Sequence, residues 1–132
     1  MEIRRLLRGN DELSKLKADI LRALAIFDGI SWMSELIPDI VKIHNYSLDY
    51  LPTDEMIDEA LQQLEAEGLL LIEPRMRGGF TAGEVYVDKL IRLKDLKAIK
   101  DALAQDEVYK NYLSQRMETL WKVGETRGHE RG

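Results

Sequence analysis

The sequence predicts a mostly helical α+β domain: three helices, a two-stranded hairpin, and a helical extension toward the C-terminus. Three observations predict it. Thr53 to Ile72 reads as a helix that stops at a glycine and passes directly into a short apolar run. On either side of that unit, apolar residues recur at spacings of three and four. Between Glu73 and Asp88 that period gives way to glycines, a proline and alternation.

Taken in order, residues 1–10 form an arm or one or two helical turns, with Ile3, Leu6 and Leu7 beside Arg4, Arg5 and Arg8. Asn10 or Asp11 caps the first long helix, whose stripe is Leu13, Leu16, Ile20, Leu24 and Phe27. Gly29 is its natural stop. Ser31 can cap a second helix through Ile43, which Pro38 should kink or split by removing a donor and clashing one turn back. Residues 45–52 are a polar-aromatic loop. Thr53 caps the third helix, Asp54 and Glu55 suit its dipole, and Met56, Ile57, Ala60, Leu61 and Leu64 make its apolar stripe. Gly68 closes it. Leu69 to Ile72 is the first strand of the hairpin, and Glu84 to Asp88 the second, with Val85 and Val87 on its buried side. The long connection carries Arg75, Arg77 and Phe80 at or near its tip. Helical period returns from Lys89 through Leu90, Leu93, Leu96, Ile99 and Leu103. Asp106 caps a further segment unless the two run on as one helix, and Gly124 ends it. The divisions are therefore 1–10 arm, 11–88 principal domain, 89–123 extension and 124–132 disordered tail.

Composition removes several function classes. The 132 residues contain no cysteine, which excludes disulfides, thiolate catalysis and cysteine-based zinc sites. Apolar runs are far shorter than the roughly 20 residues of a membrane helix, so no membrane association is expected and the compartment is cytoplasmic. His44 and His129 are the two histidines, and His44 reads as a surface or boundary residue. The serines lack a nucleophile-elbow context, R-G-G-F-T-A-G does not fit a dinucleotide fingerprint, and no catalytic group, cofactor or metal is expected. Asp54/Asp58 and Glu55/Glu59 have a spacing compatible with a divalent cation, but a solvated helix face is the preferred reading.

The second helix opens on a small-residue cap in I-S-W-M-S-E-L, and the third ends in A-L-Q-Q-L-E-A-E-G-L-L. Leu61, Leu64, Gly68 and Leu69 match an L-x-x-L-x-x-x-G-L ending. With three helices before a strand–loop–strand, residues 11–88 resemble the winged helix-turn-helix superfamily, in particular MarR-like and PadR-like transcriptional regulators. That resemblance implies a third helix entering the DNA major groove, a wing on the adjacent backbone, and a C-terminal helix that makes a homodimer.

Charge departs from that family. Residues 1–29 carry net +1, residues 30–73 carry −9 with Lys42 their sole basic residue, and residues 74–132 carry +3. The outward face of the third helix holds Asp54, Glu55, Asp58 and Glu59, which would meet the phosphates and release no counterion. Base-reading roles are therefore not carried over. DNA contacts are expected instead from Arg75 and Arg77 in the wing, with possible backbone contacts from Arg4, Arg5 and Arg8. Val108, Tyr109, Tyr112, Leu113, Met117, Leu120 and Trp121 form an apolar segment that either folds back or pairs with a second chain. The expectation is a dimer through Tyr109, Tyr112, Leu113, Met117, Leu120 and Trp121. Two functions follow: a dimeric regulator binding double-stranded DNA through wing and basic ends, or a winged-helix module whose acidic face docks on a basic protein partner and binds no DNA.

Overall fold

The computed structural model describes residues 3–78 and 85–130, with side chains in the second stretch from Tyr86 to Glu118. Its elements are α1 (Ile3–Leu7), α2 (Glu12–Ile26), β1 (Ile30–Trp32), α3 (Met33–Ile43), α4 (Asp54–Ala66), β2 (Leu70–Gly78), β3 (Val85–Leu93), α5 (Leu96–Leu103) and α6 (Glu107–Glu130). The three strands form one antiparallel sheet in the order β1-β3-β2. The chain is thus a mostly helical α+β protein.

Helix α2 is the centre. Every residue from Leu16 to Ile26 is buried. That stretch is covered on all sides, its charged Lys17, Asp19 and Arg22 included, because α1, α3, α4, α5 and the start of α6 all pack on it. Asp11 caps it by accepting from the Ser14 amide, and Gly29, at φ 82°, donates to the Leu24 carbonyl at its end. Thr53 caps α4 through the Met56 amide at 3.2 Å. Gly68, at φ 78°, turns the chain so that Leu69 N–H reaches the Leu64 carbonyl, and Leu70 enters β2 fully buried.

Several expectations are corrected. Ser31 does not cap α3: it lies in β1, pairs with Ile91, and Trp32 holds the cap position without a side-chain bond. Helix α3 spans Pro38, because Leu36, Ile40 and Ile43 anchor it in the core on both sides of the lost hydrogen bond. The strands are longer than the sequence suggested. Pro74 is accommodated because β2 is an edge strand, where a missing N–H need not cost a ladder bond. Arg75 and Arg77 therefore sit in β2 rather than at the tip, whereas Phe80 lies outside the described residues. Leu90 and Leu93 belong to β3, and helix resumes only at Leu96, capped by Asp95. On β3 the burial is opposite to expectation: Val87 is 65% exposed and Asp88 is 8% exposed. Asp106 caps α6 through the Tyr109 amide, so α5 and α6 are separate helices. Helix α6 passes through Gly124, where the sequence reading ended it, and continues to Glu130. A helical glycine costs only about 1 kcal/mol, and no proline follows to enforce a stop.

Within this body lies a buried polar cluster. Asp19, 1% exposed, accepts from Arg22 Nη1 (2.8 Å), His44 Nε2 (2.7 Å) and Tyr50 Oη (2.6 Å). Arg22 also donates Nε and Nη2 to both oxygens of Asp106, at 2.8 and 2.7 Å. Burial alone pushes the Asp19 carboxyl upward, but the His44, Tyr50 and Arg22 donors outweigh it and hold the pKa below the ordinary 3.8. Burial, together with the same carboxylate, pushes the Tyr50 phenol far upward.

Asp19→Ala strands these donors and is expected to destabilise the protein by about 3–5 kcal/mol in urea unfolding. Because the native pKa lies below the unfolded one, the stabilisation is complete above pH 3.8 and is lost as pH falls through the native value. The wild-type advantage over Asp19→Asn should therefore shrink on acidification below that point.

Candidate interaction surface

The α4 carboxylates reach solvent because the other face of that helix is spent on the core. Ile57, Ala60, Leu61 and Leu64 are buried against α2 and the sheet. The 3.6-residue period then turns Asp54, Glu55, Asp58 and Glu59 outward. Asp54, Glu55 and Glu59 are exposed and Asp58 is half-exposed. The nearest cation is Lys89 on β3, with Nζ 3.9 Å from Asp58 Oδ1, both ends about half exposed. Glu59 accepts from Gln63 at 3.3 Å. Solvent screening leaves little of the Asp58–Lys89 attraction.

The wing arginines are placed differently from expectation. Arg77 points back across the sheet. Its Nη1 donates to Asp88 Oδ2 at 3.0 Å, its Nη2 lies 3.7 Å from Glu35, and its guanidinium stacks 4.3 Å from the Trp32 ring centroid. Tyr86, its cross-strand partner, flanks it at 5.8 Å. Asp88 also accepts from Ser34 Oγ at 2.6 Å and from the Lys89 amide at 2.8 Å. Burial raises the Asp88 carboxyl, and Ser34, the Lys89 amide and Arg77 overcome it, leaving the pKa lowered. Arg77 is therefore the counter-ion of a buried carboxylate and ties β2 and β3 to the start of α3. Arg75 is more exposed and pairs with Glu73 at 2.6 Å, which pulls that carboxyl below its usual range.

The remaining predicted residues divide into two groups. Arg4, Arg5 and Arg8 are exposed on α1, as are Lys94, Lys97 and Lys100 on and before α5. Helix α1 packs on α5. Tyr109 is 8% exposed, and Val108, Tyr112 and Leu113 pack on the core, with Tyr112 meeting Phe27 edge-on at 6.2 Å. That part of the expected dimer surface is used within the chain. Met117 is 68% exposed. Leu120 and Trp121 lie outside the described side chains.

Sequence reasoning missed Asp19, Arg22, Tyr50, Asp88 and Ser34, saw Asp106 only as a cap, and saw His44 only as a boundary residue. The available signal was α2 itself: charges at 19 and 22 set in a helix too apolar to have a solvated face. Among the described residues, no group of three or more His, Asp and Glu side chains could hold a metal ion, and no helix is long and apolar enough to cross a membrane. No protein-family model matches the chain, and no curated protein is significantly similar to it.

The two wing arginines should behave unequally. Arg77→Ala leaves a buried carboxylate without its cation and is expected to cost about 1–3 kcal/mol in urea unfolding. Arg75→Ala should leave stability nearly unchanged.

Proposed function

We propose that this chain is a winged helix-turn-helix protein that docks on a basic protein partner through the acidic face of α4 and works as a homodimer joined through α6. The fold assignment rests on the order of helices α2, α3 and α4 before the β2–β3 hairpin. In that order α4 is the recognition helix and the hairpin is the wing. The observation that carries the docking reading is the division of charge between them. The wing arginines are committed to Asp88, Glu35 and Glu73, whereas the α4 carboxylates face solvent with Lys89 as their single near cation among the described residues. Such a surface repels phosphate and attracts lysine and arginine.

The dimer reading rests on α6. Its 24 residues span roughly 36 Å at 1.5 Å per residue, and among its described side chains those from Val108 to Leu113 include the ones that pack on the core. Met117 and Leu120 follow at helical spacing, and Met117 is in solvent.

A second reading is a dimeric DNA-binding transcription regulator. It is favoured by the exposed cations shared by α1 and α5, which could hold a phosphate backbone without α4.

A mobility-shift series with random-sequence duplex DNA separates the two. The docking reading expects no shift even at low salt; binding that weakens steeply as salt rises would replace it with the second. For the dimer, the full chain should sediment as two copies and Met117→Glu/Leu120→Glu as one. A monomeric full chain would overturn it.

A further inference from the structure

Beyond α4, the wing carries an apolar strip that the core does not use. On β2 and β3, Leu70, Ile72, Pro74 and Met76 share one face with their register partners Leu93, Ile91, Lys89 and Val87. The near half of that face is core: Leu70, Ile91 and Leu93 are buried. Toward the tip the same face emerges into water. Pro74 is exposed, and the opposed pair Met76 and Val87 are 67% and 65% exposed. Helix α4 borders this face, since Lys89 reaches Asp58 and Glu65 Oε2 accepts from the Ile72 amide at 2.9 Å. Beyond Lys89, exposed apolar side chains thus continue on the face that meets α4 at Asp58 and Glu65, the helix that also carries Asp54, Glu55 and Glu59.

The chemistry restricts what can lie there. Addition of a strand to the β2 edge is blocked, because Glu65 already takes the Ile72 N–H and Pro74, two residues on, has none. Nucleic acid is disfavoured by the carboxylates. An amphipathic helix meets both demands, with apolar side chains on Met76 and Val87 and lysines or arginines along its flank toward α4. Methionine suits such a floor because its unbranched thioether adapts to different side chains.

We propose that the partner element is a basic amphipathic helix, seated on Pro74, Met76 and Val87 with its cations against Asp54, Glu55, Asp58 and Glu59. This rests on the docking reading above and adds to it the apolar half of the contact.

Two labelled peptides of equal length and charge test it by fluorescence anisotropy against the full chain: a Lys/Leu peptide with its leucines on one helical face, and a Lys/Ser peptide. The Lys/Leu peptide should bind about tenfold tighter or more. Met76→Thr/Val87→Thr, with folding checked by circular dichroism, should erase that preference and keep the charge-driven remainder. Equal affinity of the two peptides would overturn the apolar seat and leave acidic docking standing. A preference that survives Met76→Thr/Val87→Thr would also overturn it, since the leucines would then lie elsewhere. Binding of neither peptide would remove the docking reading together with this proposal.

Discussion

A carboxylate taken out of water must be given donors or a counter-ion, and this constraint decides where Arg22 and Arg77 go. Asp19 and Asp88 are both buried. Each is met by an arginine and a set of neutral donors, Arg22 with His44 and Tyr50 for the first, Arg77 with Ser34 and a backbone amide for the second. Leaving Asp19 unpaired would cost about 3–5 kcal/mol, and leaving Asp88 without Arg77 about 1–3 kcal/mol. The first cluster joins α2 to the end of α3, to the following loop and, through Arg22 and Asp106, to the start of α6. The second joins the β2–β3 hairpin to the start of α3. Together they connect helices that the apolar core alone would leave free to slide.

The same allocation shapes the surface. Arg77 is drawn inward, and Arg75 is matched by its neighbour Glu73. The α4 acids have no comparable partner, because the buried side of that helix is wholly apolar and its flanks carry no lysine or arginine. What faces solvent between α4 and the wing is consequently negative charge beside the apolar Met76 and Val87. The basic residues of α1 and α5 stand apart from that surface. Electrostatics of this kind directs which partners approach more than how tightly they hold.

The parts of this arrangement visible in the sequence were the local ones. Asp11, Thr53 and Asp106 act as caps, and Gly29 and Gly68 take positive φ, because capping and chain reversal are set by a few neighbouring residues. The acidic face of α4 followed from its period. Features that depend on distant residues were hidden. β1 is three residues long and exists only because β3 comes alongside it. Val87 and Asp88 exchanged their expected environments because Arg77 and Ser34 reach Asp88, a pairing no local pattern encodes. Leu90 and Leu93, three residues apart, fit a helical period and lie on opposite faces of a strand; pairing of β3 with β1 and β2 decided for the strand. His44 and Tyr50 are far from Asp19 in sequence, so their convergence had no signature beyond an improbably apolar α2.

Arg77 belongs to the fold and is not held in reserve for an anionic ligand. A double-mutant cycle on Arg77→Ala and Asp88→Asn, read by urea unfolding, tests it most directly. The account predicts a coupling of about 1 kcal/mol or more between the two sites. Additive single effects would contradict it and return Arg77 to the surface as a free phosphate-seeking charge.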